Sequence, residues 1–142
     1  MKILAVDLGD ARTGLACCDK TELLASPVGV VHEKDPAALL EKVADAAAQQ
    51  GAGLVVVGYP KNMNNTVGER AEKCAAFARQ LRERVRIPVE LWDERSTTVS
   101  AISYLNATDT RGKKRREVID AVAATIILEN YLAYRRLHGE TP

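Results

Sequence analysis

Lys2-Ile3-Leu4-Ala5-Val6-Asp7-Leu8-Gly9-Asp10-Ala11-Arg12-Thr13-Gly14 opens the chain with an apolar run that stops at a carboxylate. A run that is apolar at every position, rather than at every second one, predicts a central strand buried on both faces. Asp7 then falls where the strand leaves the core for solvent, the place where α/β sheets put their chemistry. Gly9 and Gly14 permit a tight turn and a close backbone approach, and Arg12 between them is a permanent cation suited to phosphate. The same residues also read as a plain polar strand end with turn glycines, so this stretch decides the centre of the sheet before it decides any function.

Working outward, strands and helices alternate. Residues 14–19 and 23–31 predict two further strands joined by a polar turn at Asp19 to Glu22, so the first three strands form an antiparallel meander. Asp35-Pro36 opens a helix, aspartate as N-cap and proline at the first helical position, which runs through Leu39, Leu40, Val43 and Ala47 to Gly51. Residues 54–58 are a second buried strand, reached by that crossover and therefore parallel to the first. A helix over 67–86, with Ala71, Cys74, Ala75, Ala78 and Leu81 inward, leads to a third such strand at 87–92. A helix over 99–108, a basic loop over 107–114 and a last helix over 115–137 complete the chain. That last helix directs Ile119, Val122, Ala123, Ile126 and Ile127 to the core.

The 142 residues suffice for one domain with a sizeable core, and 46% hydrophobic with 27% charged residues is the balance of a soluble globular protein. No apolar run of about 18 residues and no signal-peptide pattern occurs, which predicts a cytoplasmic protein with no membrane partner. Cys17, Cys18 and Cys74 are odd in number and lack metal-ligand spacing, and so read as small buried hydrophobes. The net charge of +1 implies no partner, but its distribution is uneven. Arg111, Lys113, Lys114, Arg115 and Arg116 form a cluster able to meet a phosphate backbone, whereas Arg79, Arg82, Arg84 and Arg86 interleave with acids as a solvated helix face does.

Carboxylates supply the chemical signal. Asp7 and the pair Asp93-Glu94 end strands that point the same way. Asp120 shares a helical row with Ala124, Ile127 and Tyr131, which is otherwise apolar. Singly, each has an ordinary explanation: Asp93-Glu94 precede a helix start that Ser96 or Thr97 can cap, and Asp120 stands early in its helix. Together they would repel one another unless a divalent cation intervened, and an all-oxygen donor set without histidine or cysteine selects Mg²⁺ or Mn²⁺. Between them lies the loop Gly58-Tyr59-Pro60-Lys61-Asn62-Met63-Asn64-Asn65-Thr66. Its Asn62, Asn64 and Lys61 suit phosphate or ribose oxygens, and its asparagines equally suit turn geometry.

Four stretches in order resemble the motifs of the YqgF family, in the ribonuclease H-like superfamily. They are Asp7 to Ala16; Gly58-Tyr59-Pro60 with Asn62-Met63 and Gly68; Asp93 to Thr98; and Asp120-Ala121-Val122-Ala123-Ala124. Tyr59 and Asn65 depart from the family's usual leucine and glycine. The resemblance covers nearly the whole chain and implies a single domain over 1–142. Its α/β fold would have three layers, a mixed five-stranded sheet with helices on both faces. Members are described as pre-16S ribosomal RNA nucleases or Holliday junction resolvase-like nucleases. The implied chemistry is metal-dependent phosphodiester hydrolysis, with Asp7, Asp120 and Glu94 or Asp93 holding two Mg²⁺ or Mn²⁺ about 4 Å apart. The strand period of two gives Asp93 and Glu94 opposite faces, and Glu94 with its longer arm is preferred as ligand, leaving Asp93 to Arg95 or the loop. Arg12, Lys114 and Arg115 would meet substrate phosphates, with Asn62 and Arg95 positioning the strand. Implied partners are structured RNA, including a ribosomal subunit precursor, or branched DNA, acted on by a monomer or a homodimer. Two other readings stand beside these: a non-catalytic RNA-binding assembly factor, and a phosphotransferase of the sugar-kinase type, which needs two such domains where this chain supplies one.

Overall fold

A computed structural model describes residues 1–9, 11–59, 68–93 and 112–137, with the backbone alone for 69, 70, 93 and 112–120. The elements are β1 (Ile3–Asp7), β2 (Arg12–Cys18), β3 (Ala25–His32), α1 (Pro36–Gln50), β4 (Leu54–Tyr59), α2 (Glu69–Arg84), β5 (Val89–Asp93) and α3 (Gly112–Leu137). The sheet order is β3-β2-β1-β4-β5. β1 pairs antiparallel with β2 and parallel with β4, and β4 pairs parallel with β5. The expected mixed five-stranded sheet is therefore present, with the opening strand at its centre.

Alternation along β1 divides the core into two layers. Leu4 and Val6 join Val55, Val57 and Val89 under α1 and α2, while Ile3 and Ala5 join Leu54, Val56 and the α3 residues Ala124, Ile127, Leu128, Tyr131 and Leu132. Helices thus cover both faces. α1 is bounded as its sequence requires: Asp35 accepts a hydrogen bond from the Ala38 amide at 3.2 Å, and Gly51 closes the helix in the left-handed region at φ 68°. All three cysteines are buried and none is in a disulfide, and burial raises the Cys17 and Cys18 thiols above their ordinary pKa.

Three expectations are corrected. α3 starts at Gly112 and not at Arg115, so Gly112-Lys113-Lys114 are helical rather than part of the basic loop; lysine is a good helix former, and charge alone does not mark a loop. In α2 the inward position is taken by Phe77, with Ala75 half-buried, and in α3 by Ala124, with Ala123 half-buried. Alanine can sit on either side of a helix, and the larger neighbouring side chains set its rotation. The expected helix over 99–108 and the loop over 60–66 lie outside the described residues.

One buried ionic network fixes α3. Glu22, only 2% exposed, sits in the turn between β2 and β3 at φ 61°, a backbone region that side-chain-bearing residues rarely adopt. Arg135 Nε donates to its Oε1 at 2.8 Å, and the Met1 ammonium lies 3.2 Å from Oε2. The Arg135 guanidinium also stands over the Tyr131 ring, 5.9 Å from its centroid, and the Tyr131 hydroxyl donates to the Glu90 carboxylate. Burial works to raise the Glu22 pKa, but Arg135 and the Met1 ammonium more than offset it and hold the carboxyl below the usual glutamate value. Burial and then Glu90 push the Tyr131 phenol up to about 12.

β3 is an edge strand. Leu15 pairs with Gly29 and Ala16 with Pro27, which leaves Val28 as an extra residue in a bulge. Gly29 adopts φ 149°, open to glycine, and Pro27 offers no amide hydrogen.

Removing Arg135 leaves Glu22 enclosed with less compensation. Arg135→Ala should therefore lower the unfolding free energy in urea titrations by about 3–5 kcal/mol. Because the folded-state pKa of Glu22 is depressed, its stabilisation is present above the ordinary glutamate value and is lost as pH falls through the folded value. The acid-side decline in the urea midpoint should be shallower in Glu22→Gln than in the unaltered chain.

Candidate active site at the carboxyl end of the sheet

Parallel pairing gathers the acidic strand ends. Val6 is level with Val57 and Tyr59 with Asp93, so β1 and β5 end at the same side of the sheet with β4 between them. Neighbouring strands lie about 4.8 Å apart, which separates the β1 and β5 axes by about 10 Å. Asp7 continues the parity of Ile3 and Ala5, whose side chains pack under α3. Arg12 shares the parity of Ala16 and Cys18, also on the α3 side, at the same end of the sheet. Asp93 instead has the parity of Val89 and Leu91, which pack under α1 and α2.

The direction of α3 follows from its anchors. Tyr131 and Arg135 bond to Glu90, near the start of β5, and to Glu22, in the β2–β3 turn, so the helix C-terminus lies at the amino end of the parallel strands. Rising 1.5 Å per residue, α3 gains roughly 16 Å between Tyr131 and Asp120. The strand gains only about 10 Å between Glu90 and Asp93. The early turns of α3 therefore run to the carboxyl end, where Asp7 and Arg12 stand. Asp120 precedes Ala124, Ile127 and Tyr131 on their row, and those three are 0%, 0% and 2% exposed. Lys114 and Arg115 fall within the first turns of the same helix. The backbone thus brings Asp7, Arg12, Asp93, Asp120, Lys114 and Arg115 to one end of the molecule. Glu94, Arg95 and Asn62 lie outside the described residues.

The turn that presents Asp7 is tightly built. The Gly9 amide donates to Thr13 Oγ1 at 3.4 Å, and Thr13 is fully buried. A Cβ on Gly9 would stand 2.1 Å from the Arg12 carbonyl oxygen, so no other residue fits without moving the turn. Thr13 went unnoticed as a support in the sequence; its only signal there is a β-branched hydroxyl four residues beyond a turn glycine. On the α3 side, Trp92 packs edge-on against Tyr131, centroids 5.6 Å apart, and against Tyr134 at 5.3 Å. In the second arginine group, Arg82 and Arg84 make contacts within the protein. Arg84 pairs with Glu41 through contacts of 2.7 and 2.8 Å, and Arg82 Nε donates to the Val89 carbonyl.

An antiparallel meander extended by two parallel crossover strands and covered on both faces is a ribonuclease H-like fold, which in this chain's family and relatives is that of a nuclease, a hydrolase acting on phosphodiester bonds. Among solved structures the chain is similar to the RuvC of Thermus thermophilus, with a TM-score of 0.60 at 13% identity and 96% of each chain covered. It is also similar to the Holliday junction resolvase of fowlpox virus, with a TM-score of 0.56 at 13% identity over 94% of this chain and 99% of that one. The chain belongs to the RuvX family, described as Holliday junction resolvase, which matches residues 1–134. Two similar relatives both bear the name "Putative pre-16S rRNA nuclease". That of Pelotomaculum thermopropionicum is 42% identical over 93% of this chain and 86% of its own length, and that of Halothermothrix orenii 41% identical over 98% and 100%.

Gly9→Ala should test the turn directly. The clash with the Arg12 carbonyl should cost about 1–3 kcal/mol of stability in thermal or urea unfolding. It should also lower nuclease turnover at temperatures where circular dichroism shows the variant folded, because Asp7 and Arg12 flank the displaced turn.

Proposed function

We propose that the chain, acting as a single domain over 1–142, is a divalent-metal-dependent nuclease that matures the 5′ end of pre-16S ribosomal RNA in the cytoplasm. What supports this reading is the α3-side parity of Asp7 at the carboxyl end of the sheet, the end to which the backbone of α3 also brings residue Asp120. The names of the relatives favour ribosomal RNA precursor as substrate. No helix among the described residues is long and apolar enough to cross a membrane, which suits that role.

Asp7, Asp120 and Glu94 would hold the cations. A strand's period of two allows only one of Asp93 and Glu94 to join Asp7 and Asp120, and the longer arm of glutamate favours Glu94. An all-carboxylate donor set suits Mg²⁺ or Mn²⁺. Such ions, when bound, offset the crowded negative charge of carboxylates and phosphate and lower the pKa of water. The residues of the chain supply position. Asp7 and Arg12 stand on either side of the Gly9 turn, so the strand ends offer one anionic and one cationic group to a phosphate. Lys114 and Arg115 add positive charge from α3, and Asn62 and Arg95 orient the strand.

Branched DNA is the second reading, and the description of the family supports it. A 5′-extended 16S precursor and a four-way DNA junction, each offered with Mg²⁺, separate the two. RNA ends at one mature 5′ position support the proposal, whereas paired symmetric nicks in the junction with intact RNA would replace it. Asp7→Asn should lower turnover at least about 100-fold while leaving substrate binding in place. A chelator should abolish cleavage by the unaltered chain, and added Mg²⁺ or Mn²⁺ should restore it. Lys114→Gln and Arg115→Gln should each weaken binding evenly across sequences and reduce the salt slope by about one.

A further inference from the structure

On the other side of the carboxyl end from Asp7, a cavity of about 490 Å³ opens between α1 and α2. Leu8, Leu39 and Phe77 line it, the last two only 5% and 6% exposed. Lys34 and Lys73, both exposed, also border it, as does Gln80. The size of the cavity lies within the range of small-molecule sites.

We infer that this cavity takes one unpaired nucleotide of the nucleic acid being cut. The inference rests on the nuclease reading and adds to it a requirement for a nucleotide free of its helix next to the reacting phosphate. Asp7 and Leu8 are consecutive, the first with α3-side parity and the second packed with the α1–α2 core. A chain that crosses the end of the sheet therefore meets the carboxylate on one side and the recess on the other. The lining matches the parts of a nucleotide. Leu8, Pro36 and Ala76 offer apolar surface to a base, with Leu39 and Phe77 forming the floor beneath them. The Gln80 amide can donate to and accept from a base edge. Lys34 and Lys73 supply charge for the phosphates on either side. A base held in a stack cannot enter a recess, so strands with bulges or frayed ends are selected over continuous duplex.

The test reads binding alone, in a chelator, with two RNA hairpins that carry 2-aminopurine either as a single unpaired nucleotide or paired within the stem. The unaltered chain should bind the unpaired probe about tenfold more tightly and change its fluorescence on binding. Ala76 also lines the recess and is half-exposed, so Ala76→Leu fills it from the surface. That substitution should bring the two Kd values together and remove the fluorescence change. Lys73→Glu, on the exposed face of α2, should reduce the preference without touching the core. Equal affinity of the unaltered chain for the two hairpins, or a preference that survives both substitutions in folded protein, overturns the inference and leaves the nuclease reading intact. Failure to bind either hairpin, both in the chelator and as Asp7→Asn protein with Mg²⁺, overturns both.

Discussion

Glu22 is a carboxylate that the fold cannot leave alone. It is enclosed, its backbone adopts a conformation that few side chains tolerate, and it is stable there because Arg135 and the chain's own ammonium face it. An isolated charge in that position would cost several kcal/mol. Arg135 belongs to α3, so this pairing sets where the last helix ends against the sheet. The Tyr131 to Glu90 bond fixes its rotation, and the apolar row Ala124, Ile127, Tyr131 fills the space between. The far end of a long helix is thereby placed by an ion pair at the near end. Whatever Asp120 contributes at the carboxyl end depends on that leverage.

The fold was largely legible in the sequence because its signals are local. An unbroken apolar run marked β1 as central, Asp35-Pro36 and Gly51 marked both ends of α1, and two further apolar runs after helical segments implied parallel crossovers. Where the reading failed, the signal was ambiguous in kind. Ala75 and Ala123 are apolar but too small to choose a side, so Phe77 and Ala124 took the inward positions. Lys113 and Lys114 look like loop residues by charge and are helical by propensity.

The candidate site was legible in part. Asp7 stood out as a carboxylate at the end of a doubly buried strand, but only in company with Asp120 and the Asp93-Glu94 pair, since alone it also reads as an ordinary polar strand end. The period of two sets Asp93 and Glu94 on opposite faces as an expectation, and Glu94 lies outside the described residues. The buried network around Glu22 was invisible, since its members are 113 residues apart and each looks like an ordinary surface charge. The recess between α1 and α2 was equally hidden. Leu8, Lys34, Leu39 and Phe77 come from a strand end, a loop and two helices, and no single window of sequence contains them.

The flank formed by β3 has one more consequence. A protein that works on a long polyanion is concentrated along it, and open strand flanks brought side by side tend to zip into fibrous assemblies. Val28 in its bulge, Gly29 in its unusual conformation and Pro27 without a hydrogen to give interrupt the ladder that an incoming strand would need. Crowding on the polymer therefore need not lead the chain to polymerise with itself through this flank.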